Sequence, residues 1–539
     1  MAAAPASTQL RSHVGDTLAR VPWASLVPVV LVAHVATALL FLLNRAPGTD
    51  AALTGLPLDD GWIHLVYARS VAALDGFCYN PGQPEAGFTS PLWVLVASPL
   101  FWLARFSGLD VIIGIKALGV LVAVATSLAA FRVAHRLTDR PGAGWLAALA
   151  VVADPSLSFA KVSGMEILLA GGLLLWALDG LLARSEVRAA IAAALVPLAR
   201  PELATFTVVA LAVLPVGHAE RGGQPARGLA LLLPTLVTLG TWAAFCLAVT
   251  GRPLPNTFYA KHAAGPLWER FADLPTVFGP MLFDLPWFFA GSGLLLFVLG
   301  ARRVLRRDAP GEAWGRRAPR LVVVAYPVVF MLAIAWTHDL NQSWPFYWHR
   351  YFEPIIPWLV VVISVGAWDL GAWSLRQLRG PAEAPGARRA LAAAACLPLL
   401  LPLTALPLRT LELSDRFAWN CQNINEMQVE IGRWLERHSA PSDWIATNDA
   451  GAIRYFSDRN VVDLVGLNNH DVLRRGAGRV VQEIRPRFLA VFPSWVPQVA
   501  RDQSLVAVYG VRSPHYTICE CAQDFMVVLT PRDSWQPPK

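Results

Sequence analysis

Two adjacent carboxylates, Asp59 and Asp60, stand in the stretch LPLDDGWIHLVYARS (56–70), shortly after a long apolar segment. Asp60, His64 and Tyr67 recur at helical spacing, which predicts that they share one face of an amphipathic helix. At a membrane–water boundary, one carboxylate can act as a general base while the other orients it or binds a cation. An aspartate at this place can equally stabilise the start of a helix, and the pair alone does not decide between catalysis and capping.

Two further motifs place ionisable residues at the ends of apolar segments. SGME (163–166) ends in Glu166, and ARPE (199–202) brings Arg200 and Glu202 between two short segments. Such groups are costly in a membrane unless they are paired or face a water-filled cavity. Local pairing of Arg200 with Glu202 around a proline-induced turn is the structural alternative to a discontinuous, cavity-lining region.

Two polar motifs, PLPNTFYAKH (253–262) and YWHRYFEP (347–354), add basic residues of the kind that hold phosphate. A lysine supplies a point charge, and an arginine supplies a planar fork of donors. The residues concerned are Asn256, Tyr259, Lys261, His262, His349 and Arg350. Snorkelling of basic side chains beside interfacial aromatic residues would account for any one of them without a ligand.

The composition places these residues in a membrane protein. Of the 539 residues 55% are hydrophobic and 15% are charged, which is typical of a polytopic membrane protein and not of a soluble one. A run at 91–103 is short for a bilayer, so we place it at the interface or as a shallow re-entrant helix. We predict about eleven transmembrane helices, from the apolar runs at 21–43, 111–131, 143–159, 165–183, 188–199, 203–216, 228–250, 284–301, 321–337, 354–373 and 390–408.

Arginines set the direction of these helices. The net charge of +7 comes with arginines that cluster between the apolar runs, at 132–140, 184–188, 221–227, 302–320 and 376–389. Because basic loops stay in the cytoplasm, the N-terminus is predicted inside, and the acidic motifs and the C-terminus outside. All the candidate residues then share the outer face of the membrane.

Residues 410–539 are predicted to form a soluble α/β domain on that face. They follow a transmembrane domain at 1–409, whose first outer loop covers 45–110. The sequence contains no Walker lysine and no nucleotide-binding glycine pattern. Within the C-terminal domain, a helical pattern at 424–438 precedes five short apolar runs, at 444–447, 461–465, 487–492, 505–510 and 525–530.

Four cysteines, Cys78, Cys421, Cys519 and Cys521, fall on the outer side. In an oxidising compartment they allow three pairings, between which the sequence does not choose. A bond from Cys421 to Cys519 or Cys521 is the favoured one.

An ordered set of motifs across most of the chain resembles a known family. The set is DDGWIHLVYARS, GFCYNPGQPEAGFTSPLW, SGME, ARPE, PLPNTFYAK, HRYFEPIIP and TNDAGAIRYFSDRNVVDLVGLNN. It resembles the GT-C superfamily of membrane glycosyltransferases that use polyprenyl-phosphate sugars, and most closely the branch of mycobacterial terminal arabinofuranosyltransferase-like proteins. The GWIH and EAGFTSP segments depart from the usual pattern of that branch, which leaves the identity of the donor open.

The resemblance implies an inverting hexosyl- or pentosyltransferase of the bacterial cytoplasmic membrane. Such an enzyme takes a sugar from a lipid-linked donor on the outer face and transfers it to an envelope glycan, lipid or protein. Asp59 or Asp60 would deprotonate the acceptor, with Asp59 preferred as the base and Asp60 as its partner. The helices at 62–75 and 91–103 would be the juxtamembrane helices of the first outer loop.

Further roles follow from the same resemblance together with charge. Lys261, His349 and Arg350 would neutralise the departing polyprenyl phosphate. The sugar and acceptor pocket would contain His64, Tyr67, Arg69, Glu166, Arg200, Glu202, Asn256 and Tyr259. Some GT-C enzymes use a divalent metal and others do not, and the available carboxylates and histidines favour neither case, so no metal ligand is assigned.

Two other functions would also use a polar cavity in a membrane. A flippase or transporter of a lipid-linked saccharide needs basic groups there, although the chain lacks the internal repeat that many carriers have. A simple membrane anchor for the C-terminal domain would not need carboxylates at the ends of several helices. Nucleic acid is not expected as a partner.

Overall fold

The computed structural model describes residues 22–220, 222–261, 268, 285–306, 314–337, 350–379, 386–513 and 524–534. Within these residues, eight helices are long and apolar enough to cross a membrane, or nine if one bent pair counts as a single span. The polytopic helical fold expected from the sequence is confirmed. Eleven spans were expected, so the described residues contain fewer. The runs at 143–159, 228–250 and 390–408 are each divided between two helices, and those at 165–183 and 188–199 form helices of only 16 and 14 residues.

In its described part, the first half of the helical region forms ten helices of 4 to 28 residues. The bent pair, α7 and α8, turns by 61° at Asp154. Pro155 lacks an N–H and keeps Asp154 extended, while the Asp154 carboxylate caps α8 through the amide of Leu157 at 2.8 Å. The helices are α1 (Trp23–Leu42), α2 (Ala51–Thr54), α3 (Asp59–Ala72), α4 (Pro91–Ala97), α5 (Pro99–Ser107), α6 (Val111–Thr138), α7 (Pro141–Ala153), α8 (Pro155–Val162), α9 (Ile167–Leu182) and α10 (Glu186–Ala199).

The second half of the helical region supplies six of the eight candidate spans found in the described residues. A long helix, α19, passes through the boundary expected at 409/410 without a break and continues through a π-helical turn, Asn425–Val429, into α20. The domain boundary therefore stays a prediction. The helices are α11 (Ala204–Glu220), α12 (Pro225–Ala230), α13 (Leu233–Thr250), α14 (Asn256–Lys261), α15 (Ser292–Leu305), α16 (Trp314–Thr337), α17 (Ile356–Leu378), α18 (Gly386–Ala394), α19 (Leu397–Ile424) and α20 (Glu430–His438).

A five-stranded sheet forms the core of the C-terminal region, here called the sheet domain (residues 430–513 and 524–534). Its strand order is β4-β3-β5-β7-β6, with β3 parallel to β4 and β5, and β7 antiparallel to β5 and β6. The five strands match the five apolar runs, which confirms the expected α/β class. The elements are β3 (Trp444–Thr447), α21 (Ala452–Ser457), β4 (Asn460–Asp463), α22 (His470–Arg475), α23 (Ala477–Ile484), β5 (Phe488–Val491), α24 (Pro497–Ala500), β6 (Leu505–Arg512) and β7 (Phe525–Pro531).

The first connecting region (residues 45–110) packs directly on the sheet domain. It contains α2 to α5 and a small hairpin of β1 (Cys78–Asn80) and β2 (Gln83–Pro84). The Asn80 side chain both donates to and accepts from the backbone of Val461, at 3.0 and 2.8 Å. The hydroxyl of Tyr79 donates to the carbonyl of Ala450 at 2.5 Å. These buried bonds fix the hairpin against β4 and the loop that follows β3.

Candidate active site

Asp60 lies at the second position of α3 and faces two basic residues. Its Oδ2 accepts a hydrogen bond from Nη1 of Arg350 at 2.7 Å, and its Oδ1 is 3.8 Å from Nζ of Lys261. Burial alone would raise the pKa of Asp60, but the charges of Arg350 and Lys261 outweigh it and hold the pKa below the ordinary value. The side chain keeps 24% of its surface exposed, so an ionised carboxylate remains open to a ligand.

Tyr351 joins the two basic residues. Its hydroxyl accepts from Nζ of Lys261 at 3.2 Å and lies 3.4 Å from Nη2 of Arg350. Burial would raise the pKa of this phenol, but the two cations lower it below the ordinary value. From the sequence, Tyr351 was considered only as one of the aromatic residues of YWHRYFEP at the membrane interface. Its position next to Arg350 was the signal that could have identified it as a site residue.

A second ion-pair group adjoins the first. Arg200 donates to Oε1 of Glu166 at 2.8 Å and to Oε1 of Glu202 at 2.5 Å, and its guanidinium lies 5.3 Å from the ring centre of Tyr351. Oε2 of Glu166 is 3.6 Å from Nδ1 of His64. Burial lowers the pKa of His64, although Glu166 and Asp60 oppose the shift. The local pairing of Arg200 with Glu202, which was the structural alternative for ARPE, is present, and Arg200 also reaches Glu166.

The SGME turn positions Glu166. Gly164 adopts a φ of +80°, a left-handed conformation that favours glycine, between α8 and α9. Its carbonyl accepts a hydrogen bond from the indole N–H of Trp93 at 2.9 Å. The turn thereby ties α4 to the start of α9, where Glu166 stands.

We call the set Asp60, His64, Glu166, Arg200, Glu202, Lys261, Arg350 and Tyr351 the ionic cluster. Its members come from five separate parts of the chain and converge at one end of the helical bundle. Seven of the eight were candidate site residues from the sequence. The cluster contains three cations and three carboxylates. An incoming anion therefore has to compete with the carboxylates for the cations.

Asp59 has different partners from its neighbour. Its carboxylate oxygens accept from the amides of Gly451 and Ala452, at 2.6 and 2.7 Å. Burial raises the pKa of Asp59 well above the ordinary value, and a hydrogen bond with the carboxyl of Asp449 adds to the shift. Burial likewise raises the pKa of Asp449, because the charged form of a carboxyl is disfavoured away from water. Asp59 therefore tethers α3 to the sheet domain.

Gly451 leaves no room for a side chain at this tether. A Cβ atom there would lie 2.1 Å from the backbone oxygen of Asp59. We expect Gly451→Ala to lower the free energy of unfolding by about 1–3 kcal/mol, through displacement of α3 from the sheet domain. Thermal melting and limited proteolysis of the purified full chain measure the effect. Gly478→Ala is the control, since no atom lies within 4 Å of that Cβ, and equal melting of the two variants would contradict the expectation.

Three other predicted pocket residues have contacts outside the ionic cluster, and two of these contacts are with the sheet domain. Tyr67 donates to Oδ1 of Asn468 at 3.1 Å, and Nη2 of Arg69 is 3.3 Å from Oδ1 of Asp458. Tyr259 stacks beneath the guanidinium of Arg252 at 4.7 Å. None of these three contacts involves a residue of the ionic cluster.

Asn256 takes part in a third polar group. Its amide donates to Oε1 of Glu85 at 2.9 Å, and Oε2 of Glu85 lies 2.9 Å from Nδ1 of His470. This hydrogen bond raises the pKa of His470 above its ordinary value, although burial opposes the shift. Glu85 was not singled out from the sequence, although it lies in the quoted motif EAGFTSP.

Some predictions concern residues outside the described ones. His349, His262, Cys519 and Cys521 belong to this group, so the predicted phosphate contact of His349 and the favoured disulfide stay predictions. In the described part of the chain, no group of three or more His, Cys, Asp or Glu side chains is arranged to hold a metal ion.

Comparison with known proteins gives one family match and several structural ones. Residues 422–529 match the model of a domain of unknown function, DUF8728. No curated protein sequence matches the chain significantly.

The whole chain is similar to solved membrane-protein structures. ArnT from Cupriavidus metallidurans bound to undecaprenyl phosphate aligns over 94% of this chain and 99% of its own, with a TM-score of 0.56 and 16% identity. The apo oligosaccharyltransferase of Archaeoglobus fulgidus aligns over 87% of this chain and 69% of its own, with a TM-score of 0.55 and 12% identity. The oligosaccharyltransferase AglB from Archaeoglobus fulgidus, in complex with an inhibitory peptide and a dolichol-phosphate, gives a TM-score of 0.51 at 12% identity and covers 95% and 75% of the two chains. These likenesses confirm the GT-C fold.

Proposed function

We propose that this chain is an integral membrane glycosyltransferase that uses a polyprenyl-phosphate-linked sugar donor. The observation that carries the proposal is the pairing of a partly exposed carboxylate, Asp60, with Arg350 and Lys261 at one end of a GT-C bundle. A base and a phosphate-binding pair are the two functions that this transfer needs. The shared fold with ArnT bound to undecaprenyl phosphate supports a lipid phosphate as the ligand of the two cations.

Donor binding would change the partners of Asp60. The donor phosphate would attract Arg350 and Lys261, which otherwise hold Asp60, and Tyr351 lies between them to contribute its hydroxyl. Asp60, relieved of its counterions and close to a new anion, would gain basicity. The sequence favoured Asp59 as the base, but the two backbone amides and Asp449 that occupy Asp59 support Asp60 in that role and Asp59 as a tether.

The transfer step then balances as a single displacement. The acceptor hydroxyl would lose its proton to Asp60 as its oxygen bonds to the anomeric carbon. The bond from that carbon to the phosphate oxygen breaks, and polyprenyl phosphate leaves with the electron pair. Arg350 and Lys261 would stabilise the negative charge as it grows on the leaving group. Attack opposite to the leaving group inverts the anomeric configuration.

The remaining cluster residues would hold the sugar. His64, Glu166, Arg200 and Glu202 adjoin Asp60 and offer donors and acceptors suited to sugar hydroxyls. Tyr67, Arg69 and Asn256 would support the pocket by attaching α3 and α14 to the sheet domain. Tyr259, which also lies on α14, would help to support the pocket.

Further parts of the proposal come from charge and resemblance. Arginine-rich connections support the outer face of the bacterial cytoplasmic membrane as the location of the ionic cluster and the sheet domain. The acceptor would be an envelope glycan, lipid or protein. The resemblance to terminal arabinofuranosyltransferase-like proteins supports a pentosyl donor without deciding against a hexosyl one.

Consumption of donor by the purified protein tests this function. The full chain in lipid nanodiscs would be given polyprenyl-phosphate sugars with an envelope extract, and free polyprenyl phosphate and glycosylated product would be measured by mass spectrometry. We expect both products to appear together. A parallel assay would place the full chain in sealed lipid vesicles. Movement of intact donor across the vesicle membrane without cleavage would establish a flippase and overturn the proposal.

A further inference from the structure

A basic cavity opens at the end of the bundle opposite the ionic cluster. Helix α17 starts just after Tyr351 and runs for 23 residues, a length of about 34 Å, before it ends at this cavity. The cavity has a volume of about 940 Å³. Its walls come from the ends of α15 and α17 and the connection between α6 and α7, and its charged lining is Arg140, Arg302, Arg303, Arg306, Arg376 and Asp369.

An apolar groove of about 870 Å³ adjoins this cavity. It runs between α7, α15, α17 and α19 and is lined almost wholly by apolar side chains, Trp287 and Trp368 among them. Trp368, Ala372 and Arg376 line both spaces, so the two lie side by side. Arg379 adds a further charge at the junction.

The charges in the two spaces are unbalanced. Six arginines line them against one carboxylate among the described residues, Asp369. Asp369 lies 3.4 Å from Nε of Arg303, and both side chains are more than a third exposed. An excess of positive charge therefore faces the polar end of an apolar groove.

We propose that this groove binds an anionic phospholipid of the leaflet opposite the ionic cluster. Basic pockets between transmembrane helices bind lipid head groups, and the apolar groove supplies the surface that an acyl chain needs. A soluble phosphate would use the cavity but leave the groove empty, so the position of the groove beside the cavity favours a lipid. The number of arginines favours head groups that carry two phosphates over those that carry one.

This site is separate from the proposed reaction. It lies at the other end of α17 and shares no residue with the ionic cluster, so lipid binding there holds whether or not the chain transfers a sugar. A bound lipid would join α7, α15, α17 and α19 at their ends, and would stabilise the bundle by mass action.

Lipid titration of the detergent-purified full chain tests the proposal. Native mass spectrometry and thermal melting would be recorded with cardiolipin, phosphatidylglycerol, phosphatidylcholine, polyprenyl phosphate and inorganic phosphate. We expect cardiolipin to bind most tightly and phosphatidylcholine most weakly. The double variant Arg302→Gln/Arg376→Gln should weaken cardiolipin binding by about tenfold or more.

Two matched variants keep the test specific. Arg388→Gln removes an exposed arginine of α18 that lines neither space, and should bind cardiolipin as the wild type does. Gly371→Phe fills the groove without a change of charge, and should also weaken binding. Equal cardiolipin binding by wild type and double variant would overturn the proposal. So would a double variant that loses more of its binding to polyprenyl phosphate or inorganic phosphate than of its binding to cardiolipin.

Discussion

Asp60→Asn is expected to lower the turnover of a lipid-linked sugar by about 10²–10⁴-fold, because the variant loses the group that accepts the acceptor proton. The same change should strengthen binding of polyprenyl phosphate, since Arg350 and Lys261 would no longer be held by a carboxylate at 2.7 and 3.8 Å. Steady-state kinetics and a lipid-phosphate binding assay measure the two effects. A misfolded variant would lose both turnover and polyprenyl-phosphate binding. A fall in turnover with a gain in binding therefore distinguishes loss of a base from loss of structure.

Asp59→Asn is the matched comparison. Its amide would place a donor against one of the amides of Gly451 and Ala452, so we expect a lower melting temperature with turnover largely kept. If Asp59→Asn abolishes turnover and Asp60→Asn does not, the assignment of the base is reversed.

The pH profile offers a second measurement on the same carboxylate. In the free protein Arg350 and Lys261 hold the pKa of Asp60 below its ordinary value, against the effect of burial. The ratio kcat/KM reports ionisations of the free enzyme, and kcat reports those of the complex. Because bound phosphate would engage the two cations, the acid limb of kcat should lie at higher pH than that of kcat/KM. If the acid limbs of kcat and kcat/KM lie at the same pH, the proposed exchange of partners around Asp60 is contradicted.

Arg350→Gln is expected to lower kcat by about 10²–10³-fold, the usual effect of removing one donor to a charge that develops in the transition state. The guanidinium bonds to Asp60 at 2.7 Å and also lies beside the hydroxyl of Tyr351. Kinetics with a saturating donor separate this loss from weaker binding. The KM for the donor should rise as well, because the ground-state phosphate also contacts Arg350.

Arg487→Gln serves as the control for this variant. Arg487 forms an ion pair with Asp443 at 2.9 Å in the sheet domain, away from the ionic cluster. Its loss should leave kcat near the wild-type value. A comparable fall in both variants would show that the effect of Arg350→Gln comes from general loss of an ion pair and not from the phosphate.

The sheet domain shows where sequence reasoning succeeds. Five apolar runs between turn residues predicted five strands, and β3 covers the same four residues, Trp444–Thr447, as its run. Strand and helix signals depend on the period of apolar residues within a few turns of chain, which a sequence displays directly. The bounds at 424–438 were less accurate, because that pattern belongs to the end of one long helix, a π-helical turn and α20.

The site shows where such reasoning stops. Tyr351 was overlooked because a tyrosine beside a membrane is common, and its contact with Lys261 depends on two distant segments meeting. Glu85 and Asp449 were overlooked for a similar reason, since their partners lie hundreds of residues away or in another element.

The sequence by itself determined the membrane-spanning class, the positions of the apolar helices, the α/β character of the sheet domain and most members of the ionic cluster. These properties follow from hydropathy, local period and the scarcity of charge in apolar segments, none of which needs a three-dimensional arrangement. Only the tertiary structure separated Asp59 from Asp60. One contacts Gly451 and the other contacts Arg350, each several hundred residues along the chain, and electrostatic interaction depends on distance in space and not on distance in sequence.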